Sequence, residues 1–375
     1  MAALCDNVAG TAHWRANARM AVERGVRIMC ARSLAGVIIR RGQKMWRWAF
    51  ILMLPLLLWS AYWGAGAYTL RHGLESALQG QQHGDVVTQY EHAQISGFPG
   101  AFKVNMSNVA LHQAGVFAWR VPEVTLQAPS YQPQTIRLDV TGAQRIETAL
   151  GALELTADPL EIGVFLRPAL SLPLARAELR AGETSLVQHE DTGWAIGCER
   201  LLIEWQARDN LTQNNVTFYP YDLNVEAVAL DLSHLGPDLP PDHQRIARLH
   251  ADLSLAFRRN WDISALQQGP PPLDAILIRS IAIATSETEL RLTGQLAQEP
   301  TGFLSGNLVA DVENWRALLA AFREAGYLHP NIADMIVDML GAQYPGADMT
   351  LPITIENGQV RFGVFILGVL PPLPR

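Results

Sequence analysis

Cysteine is nearly absent from this chain. Of Cys5, Cys30 and Cys198, only Cys198 lies beyond residue 68. An exported body would therefore carry no internal disulfide, and its fold must rest on its core. Charge is also scarce, at 17% of residues against roughly 25% in average globular chains. Motifs that bind phosphate or metal are missing as well. There is no P-loop, no G-x-G-x-x-G, and none of the ten histidines falls in H-E-x-x-H or a paired metal spacing. "GFLSG" at 302–306 lacks the serine position of a nucleophile elbow. His189 opens "HED" before Thr192-Gly193, which reads as an exposed turn. Cys198 sits in an alternating run and reads as a strand residue. These absences leave no catalytic, cofactor or metal site to name, so the chain reads as non-enzymatic.

The charge that is present is unevenly placed. Residues 1–47 hold nine Lys/Arg and two Asp/Glu, a net of +7, so the remainder carries −14 of the total −7. An acidic body would repel phosphates, which argues against nucleic acid as a partner. A basic head before an apolar run fits the positive-inside rule, with Arg40, Arg41, Lys44 and Arg47 setting the orientation. The run itself, 45–68, is membrane-like. Trp48–Tyr68 has 21 residues without a charge, about 31 Å as a helix at ~1.5 Å per residue. Trp46, Trp48, Trp59, Tyr62 and Trp63 lie toward its two ends, as interface aromatics do. Ala65-Gly66-Ala67 also fits a signal-peptidase site. Two readings stand: a single-pass inner-membrane anchor with the body in the periplasm, or a cleaved signal that leaves a soluble periplasmic body. Residues 1–44 are Ala- and Arg-rich without apolar period and read as sequence ahead of a start at Met45, with a cytoplasmic or transit-like tail as the alternative.

Residues 69–85 read as a short helical linker. Beyond them the period becomes two, in "AFKVNM", "TIRLDVTG", "LEIGVFL", "DLNVEAVAL", "ARLHADLSLAF" and "TELRLTGQLA". Strict alternation means strands with one buried and one wet face. Many such strands joined by Gly/Pro-rich turns predict a large, twisted, mostly antiparallel sheet system over 86–375. "SHLGPDLPPDHQ" and "QQGPPP" break the pattern as long loops or domain seams. Near 314–341 the period is helical: Trp315, Leu318, Leu319 and Phe322, then Ile332, Met335, Ile336, Met339 and Leu340, with Asn314 and Asn331 as caps. Asn357-Gly358 predicts a type I′ turn in a terminal hairpin. The fold class is α+β, preceded by one transmembrane helix.

Three stretches carry a resemblance. They are "ISGFPGAFKVNMSNVAL" with "WRVPEVTLQAPSYQPQTIRLDV", then "LTGQLAQEPTGFLSGNLVADVENWRALLAAFREAGYL", and the ending "LPITIENGQVRFGVFILGVLPPL". With the apolar segment before them, they resemble the bacterial family called domain of unknown function 2125. The resemblance implies an envelope protein of double-membraned bacteria and brings no catalytic residue. Physically, Gly97 and Pro99 interrupt an alternating run as a bulge or sharp bend would.

The residues lead to an expectation of a membrane-associated, β-rich binding protein. Its apolar sheet face beside a bilayer would hold or move lipid-like molecules, with Leu249, Leu253, Leu255 and Phe257 as lipid-facing candidates. The alternatives are an interaction scaffold for other envelope proteins, or an enzyme whose site has no recognised signature.

Overall fold

The computed structural model describes residues 53–72 and 86–373, apart from 114–116, 149–150, 190–192, 214–215, 234–243, 325–329 and 363–364. Residues 53–72 are helical. Among the described residues, however, no helix is long and apolar enough to cross a membrane. The expected transmembrane helix is thus not supported by the described residues, which begin within the apolar run at Met53. The leucine-rich stretch ends at Leu58, and the following turns are built mainly from Trp, Tyr, Ser, Gly and Ala, which dilute the hydropathy. Residues 45–52, which open the apolar run, lie outside the described residues, as do the leader 1–44 and most of the linker.

The body belongs to one compact unit, Ala67–Arg375. Its strands are β1 (Val86–Gln89), β2 (His92–Ser96), β3 (Ala101–Gln113), β4 (Phe117–Pro129), β5 (Thr135–Thr141), β6 (Gln144–Thr148) and β7 (Gly151–Leu166). There follow β8 (Leu174–Gln188), β9 (Ala195–Cys198), β10 (Arg200–Ala207), β11 (Leu211–Gln213), β12 (Val216–Asp231) and β13 (Arg245–Phe257). The last are β14 (Leu273–Ala284), β15 (Glu289–Gln298), β16 (Leu304–Glu313), β17 (Met349–Glu356), β18 (Gln359–Phe362) and β19 (Phe365–Val369). The connectivity is a meander. β3 pairs β4, β5 and β6 sit between β4 and β7, β7 pairs β8, and β10 pairs both β8 and β12. From β12 to β19 each strand pairs the next, and every pairing is antiparallel. The two Pro-rich breaks therefore connect strands that are paired with each other.

The alternation in sequence becomes alternation in burial. In β16, Leu308, Ala310 and Val312 are buried while Val309, Asp311 and Glu313 are exposed. The helices Trp315–Glu324 and Pro330–Gln343 follow β16. Trp315 and Leu340 pack with Val312 and Met349, joined by Leu318 and Leu319. Asn314 does not cap as predicted: it holds φ 53°, and its side-chain amide donates to the Glu287 carbonyl at 3.3 Å. Pro330, one residue before Asn331, opens the second helix, as suits a residue with no N–H to satisfy. The side chains of Phe322, Ile332, Met335 and Ile336 lie outside the described residues. Asn357 and Gly358 have φ 49° and 78°, the positive pair that a type I′ turn needs, and Glu356 faces Gln359 across the hairpin. Gly97 and Pro99 form the turn between β2 and β3, where Ser130 Oγ donates to the Pro99 carbonyl at 2.8 Å.

One register line across β3–β13 departs from regular pairing. Asn108 stands opposite Pro122, Pro159 opposite Gly182, and Ala229 opposite Ala247. Asn108 and Ala229 hold φ 50° and 54°, costly for residues with a Cβ. The breaks between β5 and β6 and between β9 and β10 fall on the same line. At Gly182 a Cβ would stand 2.2 Å from the Asp158 carbonyl oxygen. Bulges and prolines stacked in register bend a sheet along one line.

Candidate functional site: the apolar face of the sheet

Following the register across the meander reveals a continuous apolar row. Val104, Leu126, Leu138, Ile162, Leu179, Ile203, Val225, Ala251, Ile281, Leu292, Ala310 and Leu351 face one another in sequence over twelve strands. Two residues away on the same face runs a second row, from Met106, Val124, Val140, Leu160 and Ala181 through Leu201 and Ala227 to Val312 and Met349. On the other side lies a third, including Ile136, Val164, Ala177, Trp205, Leu223, Leu253 and Ile278. Because side chains alternate with period two, a slip of one residue in any strand would break all three rows at once.

Coverage of this face is uneven. Beside the bend line, Val124, Val140, Leu160 and Ala181 are buried and pack with Met106, Trp119 and Tyr90. At the far end of the strands, Trp205, Tyr221, Phe257 and Trp261 form an aromatic cluster with ring centroids 5.7–5.9 Å apart. Toward β14–β18, Leu370 and Leu373 of the C-terminal tail pack over Ile278, Leu296 and Ile355. Between these covers, Leu126, Leu138, Ile162, Leu179, Ile203 and Val225 stay half-buried on six neighbouring strands, with Leu138 and Leu179 touching the edge of the first cluster. At ~4.8 Å per strand the uncovered strip is about 24 Å long, more than one leaflet of a hydrocarbon core ~30 Å thick. It is a row of carbon surface with no polar side chain in it.

The opposite face is polar. Thr125, Asp139, Glu161, Arg180, Glu226, His250, Arg291 and Asp311 share one of its rows, which Leu202 and Ala282 interrupt. Arg279 binds Asp252 and also donates to Asp222 at 2.9 Å, while Arg208 reaches Asp222 at 2.7 Å. Burial pulls the Asp222 pKa up, but the hydrogen bonds from Arg208 and Arg279 outweigh it and leave the carboxyl below the usual carboxylate range.

At the bend line lies a cavity of about 870 Å³, lined among others by Asp139, Asp158, Glu183, Glu199, Asp231 and Cys198. Among the described residues Arg245 is its only lining cation, and no histidine or lysine lines it. Burial raises the Cys198 thiol above its ordinary value despite a hydrogen bond with Thr184, so the thiol stays protonated near neutrality and is a poor nucleophile. Among the described residues no group of three or more His, Cys, Asp or Glu is placed to hold a metal ion. His189 Nε2 lies 3.0 Å from Glu154 Oε2 on the exposed surface, and its neighbours in "HED" lie outside the described residues.

The four lipid-facing candidates do share the apolar face. Leu249 and Leu253 are half-buried there, whereas Leu255 and Phe257 are 8% and 5% exposed, the latter within the aromatic cluster. Of the interface aromatics, Trp59 and Tyr62 are exposed with rings 5.7 Å apart, and Trp63 is half-buried. Trp46, Trp48, Arg40, Arg41, Lys44 and Arg47 lie outside the described residues. Sequence reasoning missed the aromatic cluster. Its members come from β10, β12, β13 and the loop after β13, and no local spacing links them.

No curated protein and no solved structure matches the chain. A family model does match, over residues 63–371, and its description is "Uncharacterized protein conserved in bacteria". The match takes in the body from before β1 through β19, and so the chain belongs to this bacterial family, DUF2125.

Proposed function

We propose that this protein is a non-enzymatic, membrane-anchored envelope protein that holds acyl chains of lipid-like molecules along the uncovered strip of its sheet. The carrying observation is the half-buried row from Leu126 to Val225, aligned by register over six strands. Carbon surface left facing water is costly, and an acyl chain laid along it would gain ~0.8 kcal/mol per buried CH₂. Anchoring is supported by the uncharged run Trp48–Tyr68 and its basic leader, which together would orient the acidic body into the periplasm. Signal cleavage instead would leave the same body soluble there. A scaffold role is the second reading, supported by the edge strand β19, where Ile366 and Val369 are 58% and 67% exposed.

Leu179 and Arg180 are neighbours on β8 that face opposite sides of the sheet. A photo-crosslinking amino acid placed in turn at each position of the full chain, in living cells, tests the proposal. Position 179 should capture phospholipid and position 180 should not. If neither captures lipid while position 366 captures protein, the scaffold reading replaces this one.

A further inference from the structure

At one end of the sheet the loops present projecting apolar tips. β4, β7, β10 and β13 all end there, and their neighbours β5, β8, β12 and β14 begin there. Tyr131 between β4 and β5 is 69% exposed, and Leu170 between β7 and β8 is 105% exposed. Leu211 and Val216, on the β11–β12 hairpin, are 60% and 45% exposed, and Ile263 after β13 is 47% exposed. Turns at the opposite end, at 193–194, 232–233 and 285–288, carry no exposed large apolar residue among the described residues; Val337 and Met339 there belong to a helix.

The tips are built, not frayed. In the Leu170 loop, Arg167 N donates to the Pro173 carbonyl at 2.8 Å and Leu172 N to Ala169 at 3.0 Å. That loop is tied to the next one: Leu174 N donates to the Trp261 carbonyl at 2.7 Å, and Ile263 N to Ser171 at 3.1 Å. Leu170 and Ile263 thus project side by side from a base stiffened by the aromatic cluster, in which Trp261 lies 5.7 Å from Phe257. Around them Arg167, Arg208, Arg258 and Arg259 are matched by Asp209, Asp222, Asp262 and Asp274. The rim is near neutral, unlike the body with its net of −14, so anionic headgroups would not repel it.

We infer that this rim is a docking surface for a phospholipid bilayer, with Leu170 and Ile263 inserting at the headgroup–acyl boundary. A protein partner would need a pit for every separate tip, whereas mobile acyl chains admit scattered tips without complementarity. Arg208 and Arg258 are held by Asp222 and Asp274 and Arg259 by Gln268, so insertion of the apolar tips, and not phosphate binding, carries the contact. The inference does not rest on the acyl-chain reading, since it uses a different part of the sheet. Cross-linking at position 179 and vesicle binding by the rim can fail separately.

The test is flotation of the full chain, held in nanodiscs, with separate vesicles of phosphatidylethanolamine and phosphatidylglycerol. The wild-type chain should float with the vesicles, and Leu170→Glu combined with Ile263→Glu should lower the bound fraction at least tenfold. Leu277→Glu, at a residue 47% exposed on the polar face, should leave binding unchanged, and matched circular dichroism would show that all variants fold. Equal flotation of the double variant and wild type would overturn the inference. So would vesicle-free light scattering that shows self-association abolished by the same two substitutions, because the rim would then bind a second copy.

Discussion

Leu160 and Leu179 are the same residue type on neighbouring strands of one sheet face, and their truncation should not cost the same. Leu160 is 6% exposed within a packed cluster, whereas Leu179 is half-buried at the edge of that cluster, with one side on the strip. Leu→Ala removes three carbons, worth about 2.4 kcal/mol of transfer when fully buried. At Leu160 the packed surroundings add a cavity term, so Leu160→Ala should cost about 3–4 kcal/mol. At Leu179 the half-exposed side lets solvent fill much of the space, so only part of the transfer energy is lost and the cavity term is small. Leu179→Ala should cost about 1.5 kcal/mol. Urea unfolding of the Ala67–Arg375 unit, followed by tryptophan fluorescence from the Trp205–Trp261 cluster, would read both. Added phospholipid should then stabilise the wild type and Leu160→Ala alike, and Leu179→Ala less. If both truncations cost about 3 kcal/mol or more without lipid, the strip is covered and the acyl-chain reading loses its observation.

Gly182→Ala should destabilise the unit by about 1–3 kcal/mol, because a Cβ there meets backbone at 2.2 Å and the bend line must shift; an unchanged urea midpoint would mean that the line is soft. For Asp222 the folded pKa lies below the unfolded value of ~3.9, so its stabilisation is present above about pH 4 and is lost as pH falls through the folded value. Asp222→Asn should therefore flatten the stability–pH curve below about pH 4, as read from thermal melts spanning the acid range. An unaltered acid limb would place the acid sensitivity elsewhere.

Much of the architecture was legible in the chain itself. Alternation marked the strands because a half-buried strand must place apolar groups two residues apart. Trp315, Leu318 and Leu319 marked a helix by their helical spacing, and Asn357-Gly358 marked the turn because few other pairs tolerate two positive φ values. Asn314 misled because a capping residue type says nothing of the backbone angle it will hold, and here tertiary contacts set φ 53° and sent its amide to Glu287. The apolar run Trp48–Tyr68 is membrane-like in length and lack of charge, but only its part from Met53 on lies among the described residues, and that part alone is not long and apolar enough to cross a membrane. What local pattern could not supply was register. Periodicity states which side chains of one strand share a face; it does not state which residue of the next strand stands beside them. Only the pairing of Ile162 with Leu138 on one side and Leu179 on the other turned separate alternating strands into one uninterrupted carbon row. Only the tertiary structure decided which part of that row is covered, since the aromatic cluster, the C-terminal tail and the two helices reach it from segments far apart in sequence. The bend line and the tipped rim arise in the same way, from strands that must be aligned before their ends and irregularities can coincide.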